Sequence, residues 1–230
     1  MTFLEIVQRI RRKCRVTGAS LTTVIGQAEE YARLVDFANE GWMIIQRKRP
    51  DWKWMRNSMT FPTVAGQATY TLAQIESTGT NFSNFGNWEL ETFRNYTTSV
   101  GTNDEYPMDW LPYNAWRDTY QIGATRATQT RPTQFTILPA LGIGLGCTPI
   151  SGYTISGDYF KVATEMTANS DTPALPSQFH MAIVYRAMML YGISESMPEI
   201  YDSGMAEFTT VMAQIERQQL PTLQIGGSLA

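Results

Sequence analysis

Histidine occurs once in the 230 residues, cysteine twice, and charged residues make up only 17% of the chain. With His180 alone, a Ser-His-Asp or Cys-His pair would have to use that residue. It lies in the first turns of an apolar helical segment with no Ser, Cys or Asp motif around it, so a structural or interface histidine is expected. Cys14 and Cys147 are too few and too far apart for a disulfide framework or a Cys-rich zinc site, and reduced, cytosolic synthesis follows as the expectation. No Asp/Asn-rich calcium loop occurs. The remaining carboxylates are scattered: Glu89 and Glu91 would share a strand face, and Asp104 adjoins Glu105, pairs that without a framework read as solvated edges rather than an acid/base couple. Gly142-x-Gly144-x-Gly146 lacks the spacing, the following Lys-Ser/Thr and the helix start of a phosphate loop, and reads as a mobile loop. No catalytic residue, cofactor or metal is expected.

Long apolar runs are also missing. Glu5 and Arg9 interrupt the first residues before a signal-peptide core could form. The longest uncharged stretch, 132–157, is rich in Gly, Pro, Ser and Thr, and its apolar core of about ten residues falls short of the roughly 20 that a membrane helix requires. No membrane partner is expected. A hydrophobic content of 43% and 12% aromatics exclude a disordered or collagen-like chain, and the length fits one large domain or two small ones. Low charge with plentiful aromatics leaves uncharged surface that is expected to meet other chains.

What charge there is lies unevenly. Residues 1–56 hold 11 basic against 6 acidic residues, whereas 57–230 hold 7 against 15, so a net −3 divides into +5 and −8. Such a split suits electrostatically directed docking, of one copy on another or on a charged partner, as well as ordinary solvated helix faces.

Phe3, Val7, Ile10 and Cys14 recur at helical spacing and predict an amphipathic helix of about a dozen residues, with Arg9, Arg11, Arg12, Lys13 and Arg15 on its other face and Gly18 available as a left-handed cap. Tyr31, Val35, Ala38, Trp42 and Ile45 repeat the pattern over 27–49, with acids first, bases last and Pro50 as the stop. Trp52 and Trp54 follow, one per face if extended, as core or interface anchors. From 59 to about 161 the helical period gives way to short strand-like runs at 59–64, 68–72, 88–98, 134–138 and 159–163. The first two read as a hairpin about Ala65-Gly66-Gln67. Loops are expected at 75–87 and 139–157, and a short helix at 111–117 with Pro112 in its first position. A doubly packed helix at 176–191 and an amphipathic one at 201–218 close the pattern. Residues 219–230, with Leu220, Leu223, Ile225 and Leu229 around Pro221 and Gly226-Gly227, are expected to form a flexible extension.

The predicted fold class is therefore α+β: an antiparallel helical bundle from 1–56 and 172–218, a β-rich insertion at 57–171, and the extension 219–230. Three segments, Phe3 to Arg15, the run Asn39-Glu40-Gly41-Trp42-Met43-Ile44-Ile45-Gln46-Arg47-Lys48-Arg49-Pro50-Asp51-Trp52-Lys53-Trp54, and Leu175-Pro176-Ser177-Gln178-Phe179-His180 with the helix it opens, make the layout resemble the head-to-tail adaptor (connector) proteins of tailed bacteriophages. The likeness covers roughly half of the chain. It implies a structural virion protein at the neck: a ring of twelve copies docked to a portal protein, a tail or nozzle protein below, and genomic DNA passing through the lumen without sequence-specific binding. It also implies a C-terminal extension reaching the portal. On that basis Arg9, Arg11, Arg12, Lys13, Arg15, Leu220, Leu223, Ile225 and Leu229 are candidate portal or neighbour contacts. Two alternatives stand beside it. One is a DNA-binding module using the basic N-terminal helix; the other is a glycan- or receptor-binding β module stacking ligands on Trp88, Trp110 and Trp116.

Overall fold

In chain order the α-helices are α1 (Phe3–Lys13), α2 (Glu29–Arg47), α3 (Leu72–Thr78), α4 (Tyr113–Tyr120), α5 (Met181–Ser194) and α6 (Pro198–Gln219). The strands are β1 (Arg56–Pro62), β2 (Thr69–Tyr70), β3 (Phe85–Thr97), β4 (Tyr106–Pro107), β5 (Asp109–Trp110), β6 (Gln129–Thr130), β7 (Gln134–Ile137), β8 (Ile143–Leu145), β9 (Thr148–Pro149) and β10 (Tyr153–Lys161). This computed structural model describes residues 1–220, and its fold is α+β. Two compact units form among the described residues: Met1–Met55 with 163–220, and Arg56–Val162.

In the helical unit, α1 opens on a capping box. The Thr2 hydroxyl accepts the Glu5 N–H at 3.3 Å, and the Glu5 carboxylate accepts the Thr2 N–H at 3.0 Å. Its far end closes differently from expectation. Arg15, not Gly18, takes the left-handed position after the helix (φ 58°), because the Val16 N–H returns to the Arg11 carbonyl (3.1 Å) and the Arg15 N–H to that of Arg12 (3.3 Å), a Schellman closure. Phe3, Ile6, Val7 and Ile10 of α1 are buried, as are Leu34, Ala38, Trp42 and Ile45 of α2. Central to the unit is α5, against which α1, α2 and α6 all pack. It buries residues around most of its girth, including Ile183, Val184, Ala187 and Met188. Pro50 does follow α2, but the chain then turns rather than extends. A 3-10 turn at Lys53–Met55 stacks Trp52 on Trp54 with centroids 4.3 Å apart, and the Trp52 indole N–H donates to the Ile45 carbonyl at 3.0 Å.

Residues 163–171 lie with the helices, not with the insertion to which the sequence assigned them. Side-chain amides of α2 explain it, since an amide offers the same donor and acceptor as a peptide group. Gln46 bonds the Thr164 carbonyl (2.9 Å) and N–H (3.1 Å), and Asn39 bonds the Met166 carbonyl and N–H (3.0 Å each). Asn169 accepts the Val24 N–H at 2.7 Å, and the Asp171 carbonyl accepts the Phe3 N–H at 2.7 Å.

The second unit holds two four-stranded sheets, ordered β1-β10-β3-β4 and β2-β8-β7-β5, and the small parallel pair β6-β9. Its core gathers Phe61, Tyr70, Ile75, Trp88, Phe93, Phe135, Leu145 and Tyr159. The expected hairpin between the first two strands does not form. The 63–68 turn carries the chain from one sheet to the other, so β1 pairs with β10 and β2 with β8. Both expected loops contain regular structure. Within 75–87 the end of α3 is found, a helix started by a second capping box in which Thr71 and Gln74 exchange hydrogen bonds of 3.3 and 2.9 Å. Within 139–157 the glycine-rich run is β8, wholly buried, flanked by Gly142 and Gly146. A Cβ on Gly142 would sit 2.3 Å from the Tyr70 carbonyl oxygen, so glycine is what lets this strand close on its neighbours.

Candidate docking surfaces

On α1, burial of Phe3, Ile6, Val7, Ile10 and Cys14 turns the basic residues outward. Arg9, Arg12, Lys13 and Arg15 are exposed, and among the described residues none has an acidic partner within ion-pair distance. Arg9 reaches the Met181 sulfur at 3.8 Å. Arg11 stands apart from this ridge: it is half-buried and donates to the Gly18 carbonyl, holding the loop after the helix. Leu220 is half-buried at the end of α6, whereas Leu223, Ile225 and Leu229 lie outside the described residues.

Charge counting along the sequence did not single out the acidic counterpart. Glu199, Asp202 and Glu207 of α6 are all exposed, and none of them pairs with a base among the described residues. The signal was present in the −8 of residues 57–230, but it could be placed on one helix only once α6 was seen to bury Ile200, Gly204, Met212 and Ile215.

The other candidates are held in local contacts. His180 is buried, with Nε2 2.8 Å from the Leu175 carbonyl and Nδ1 2.8 Å from the Met1 amine. Burial lowers its pKa, so the imidazole is a neutral link between chain segments. Burial, then the charge of Glu30, pushes the Cys14 thiol up to about 12, and burial also raises Cys147; both are protonated and inert. The register of β3 on β10 slips between Asp158 and Ser156, so Glu89 pairs opposite Asp158 while Glu91 falls in the unpaired stretch. Glu91 lines an open cleft of about 470 Å³ with Arg94 and the Arg56–Asp158 ion pair (2.7 Å), and the two glutamates do not share a site. Asp104 is engaged structurally: hydrogen bonds from the Thr97 hydroxyl and from Arg131, then from the Thr97 N–H, hold its carboxyl at about 2. Arg131 also donates to both oxygens of Asn95 and stacks near Tyr106 and Tyr153, tying the β3–β4 turn to the chain before β7. Among the described residues no group of three or more His, Cys, Asp or Glu could hold a metal ion, and no helix is long and apolar enough to cross a membrane.

Two of the three indoles expected as stacking platforms for a glycan are closed off. Trp88 and Trp116 are buried, their indole N–H groups donating to the Leu141 and Leu145 carbonyls at 2.8 Å, and only Trp110 is open, at 45% exposure. Their aromatic surface is consumed in the core of the unit.

These features define an α+β protein whose described helical surface carries unpaired charge of both signs. The SU10 adaptor protein family matches residues 1–225, and the chain belongs to that family. No curated protein matches the sequence. Membership makes it a bacteriophage structural adaptor, a virion component that contacts other head and tail proteins.

Proposed function

We propose that the chain forms the neck ring that joins the portal vertex to the tail, in twelve copies, and continues the channel through which the genome passes. The observation that carries this reading is the adaptor-family match over nearly the whole chain. The exposed ridge of Arg9, Arg12, Lys13 and Arg15 belongs, on this reading, against the portal or a neighbouring copy. Lys and Arg bind phosphates strongly, and a lumen lined with them would retard DNA. Residues 219–230 attach the ring to the portal, a tail or nozzle protein docks on the opposite side, and the protein performs no catalysis. Electron cryomicroscopy of the protein mixed with its portal tests the proposal: a ring of density in register with the portal is the expected result, and failure to bind the portal at any ratio refutes it.

The same unpaired ridge favours a second reading, a DNA-binding module. Retention of the monomer on duplex DNA, with log affinity falling steeply and linearly in log salt, would select it. Indifference to DNA at low salt would exclude it.

A further inference from the structure

We infer that a cleft of the β-rich unit is a binding site for a phosphate monoester carried on a sugar, with Arg117 and Arg126 holding the phosphoryl group. The inference does not depend on the ring reading.

Local structure brings the two arginines together. Thr69 of β2 stands opposite Gly144 of β8, so the two share a face of the sheet, and the Trp116 ring of α4 packs where Gly144 has no side chain. The indole bond to the Leu145 carbonyl (2.8 Å) fixes Trp116, and Arg117 follows it on the helix. After α4 the chain reverses through Gly123 (φ 60°) into a 3-10 turn, Gly123–Ala127, which returns Arg126 to the same opening. The result is a cleft of about 400 Å³, lined by the apolar Trp116 and Leu138 and by the polar Thr69, Tyr113 and Gln121 beside the two arginines. That volume is ordinary for a small-molecule site.

The polar groups of the cleft are unused by the chain. Arg117 and Arg126 are exposed and in no ion pair, and the side chains of Thr69, Tyr113 and Gln121 make no hydrogen bond, all among the described residues. Tyr120, one turn along α4, is by contrast engaged by the Gln134 amide oxygen. Charge sets the cleft apart as well. Residues 56–162 carry 6 basic and 8 acidic side chains. Of the five arginines among them, Arg56 and Arg131 are paired with Asp158 and Asp104, and Arg94 shares its cleft with Glu91 and Asp158. No acidic residue lines the Arg117–Arg126 cleft, so two unpaired positive charges meet there in a unit that is otherwise acidic.

Chemistry selects the ligand. A guanidinium donates two parallel N–H bonds in a fork, which a carboxylate satisfies with its pair of oxygens. A phosphoryl monoester presents three acceptor oxygens and nearly two charges at neutral pH, so it can engage both forks at once. The hydroxyls of Thr69 and Tyr113 and the amide of Gln121 supply the donors and acceptors that sugar hydroxyls require. A nucleic-acid backbone fits less well, because each phosphate along its path needs a base. Outside the cleft the unit holds 4 basic against 8 acidic residues, and the exposed Asp118 adjoins Arg117 on α4 itself.

Titration calorimetry of the full-length protein with ribose 5-phosphate, adenosine 5′-monophosphate and adenosine, at fixed ionic strength, tests the site. Both monoesters should bind and adenosine should not. Arg117→Ala and Arg126→Ala should each weaken ribose 5-phosphate by roughly tenfold, the loss expected when a charged hydrogen-bond donor is removed. Arg117→Lys should weaken it too, since an ammonium keeps the charge without the fork, and Arg94→Ala should leave it unchanged. Phenylglyoxal, which modifies accessible arginines, gives a second readout that needs no variant to fold. Ribose 5-phosphate should protect Arg117 and Arg126 of the wild type, located by mass spectrometry, and leave Arg94 reactive. No binding at millimolar monoester, binding indifferent to both alanine substitutions, or equal protection of Arg94 overturns the site. So does a thymidine oligonucleotide that binds more tightly than either monoester with an affinity falling steeply in salt, because the arginines then serve a nucleic-acid backbone.

Discussion

Replacing Gly144 with alanine probes the packing of β8 directly. A Cβ there would lie 2.9 Å from Cζ2 of Trp116, 3.0 Å from Cγ2 of Thr136 and 3.1 Å from Cδ2 of Leu138. Carbon atoms prefer about 3.5–4.0 Å, so all three neighbours must retreat. Two of them have little room: Trp116 is buried and anchored through its indole N–H to the Leu145 carbonyl at 2.8 Å, and Thr136 is fully buried on β7. Overpacking of this kind costs about 1–3 kcal/mol, and alanine returns about 0.4–1 kcal/mol by restricting the unfolded chain, which leaves a net loss of about 1–2 kcal/mol. Gly152→Ala is the control. Its nearest atom would be the Thr98 hydroxyl at 3.9 Å, so only the unfolded-state effect operates and a gain of about 0.4–1 kcal/mol is expected. Urea unfolding followed by tryptophan emission, in which Trp88 and Trp116 report on the β-rich unit, measures both; the midpoint should move while the slope holds. Equal midpoints for Gly144→Ala and wild type, or equal damage from the two substitutions, would refute the reasoning.

Asp104 sets an acid limit. Its carboxyl is held at about 2, below the ordinary 3.8, so the stability it contributes is complete above 3.8 and fades as pH falls from there towards 2. Urea midpoints should decline over that window less steeply in Asp104→Asn, and equal slopes would count against the Thr97–Arg131 network. His180 acts at higher pH: because burial lowers its pKa from 6.5, the unfolded chain takes up a proton that the folded chain refuses, and stability falls as pH drops below 6.5. As the lone histidine it gives one imidazole signal by NMR, and titration at or above 6.5 in the folded protein would contradict the buried neutral state. Deleting residues 219–230 should weaken co-sedimentation with portal rings, and equal binding of truncated and full-length protein would remove the proposed portal attachment.

By itself the sequence determined the elements whose signal is local. Phe3, Val7, Ile10 and Cys14, then Tyr31 to Ile45, then Phe179 to Leu190 and Tyr201 to Ile215, each repeat at the helical period, and α1, α2, α5 and α6 stand over those periods, although Ser177–Phe179 forms a 3-10 turn and α5 begins only at Met181. The basic face of α1 was legible for the same reason, since a stripe of buried residues fixes what the opposite side must carry. The capping box of α3 was equally local, in Thr71 and Gln74, yet a polar Ser/Thr/Asn context hid it. Tertiary structure alone decided the rest. Strands have no partner written into them: β1 joins β10 across nearly a hundred residues, and that β8 is a strand at all depends on Tyr70 and Trp116 closing over glycines that in isolation signal only flexibility. Asn39 and Gln46 read as ordinary polar positions on a helix until residues 164–166 take up their amides. The indoles of Trp88 and Trp116 passed for open platforms until the fold supplied carbonyl acceptors and a core. Each of these outcomes rests on groups far apart in the chain, and the free energy that selects them exists only once the fold has brought those groups together.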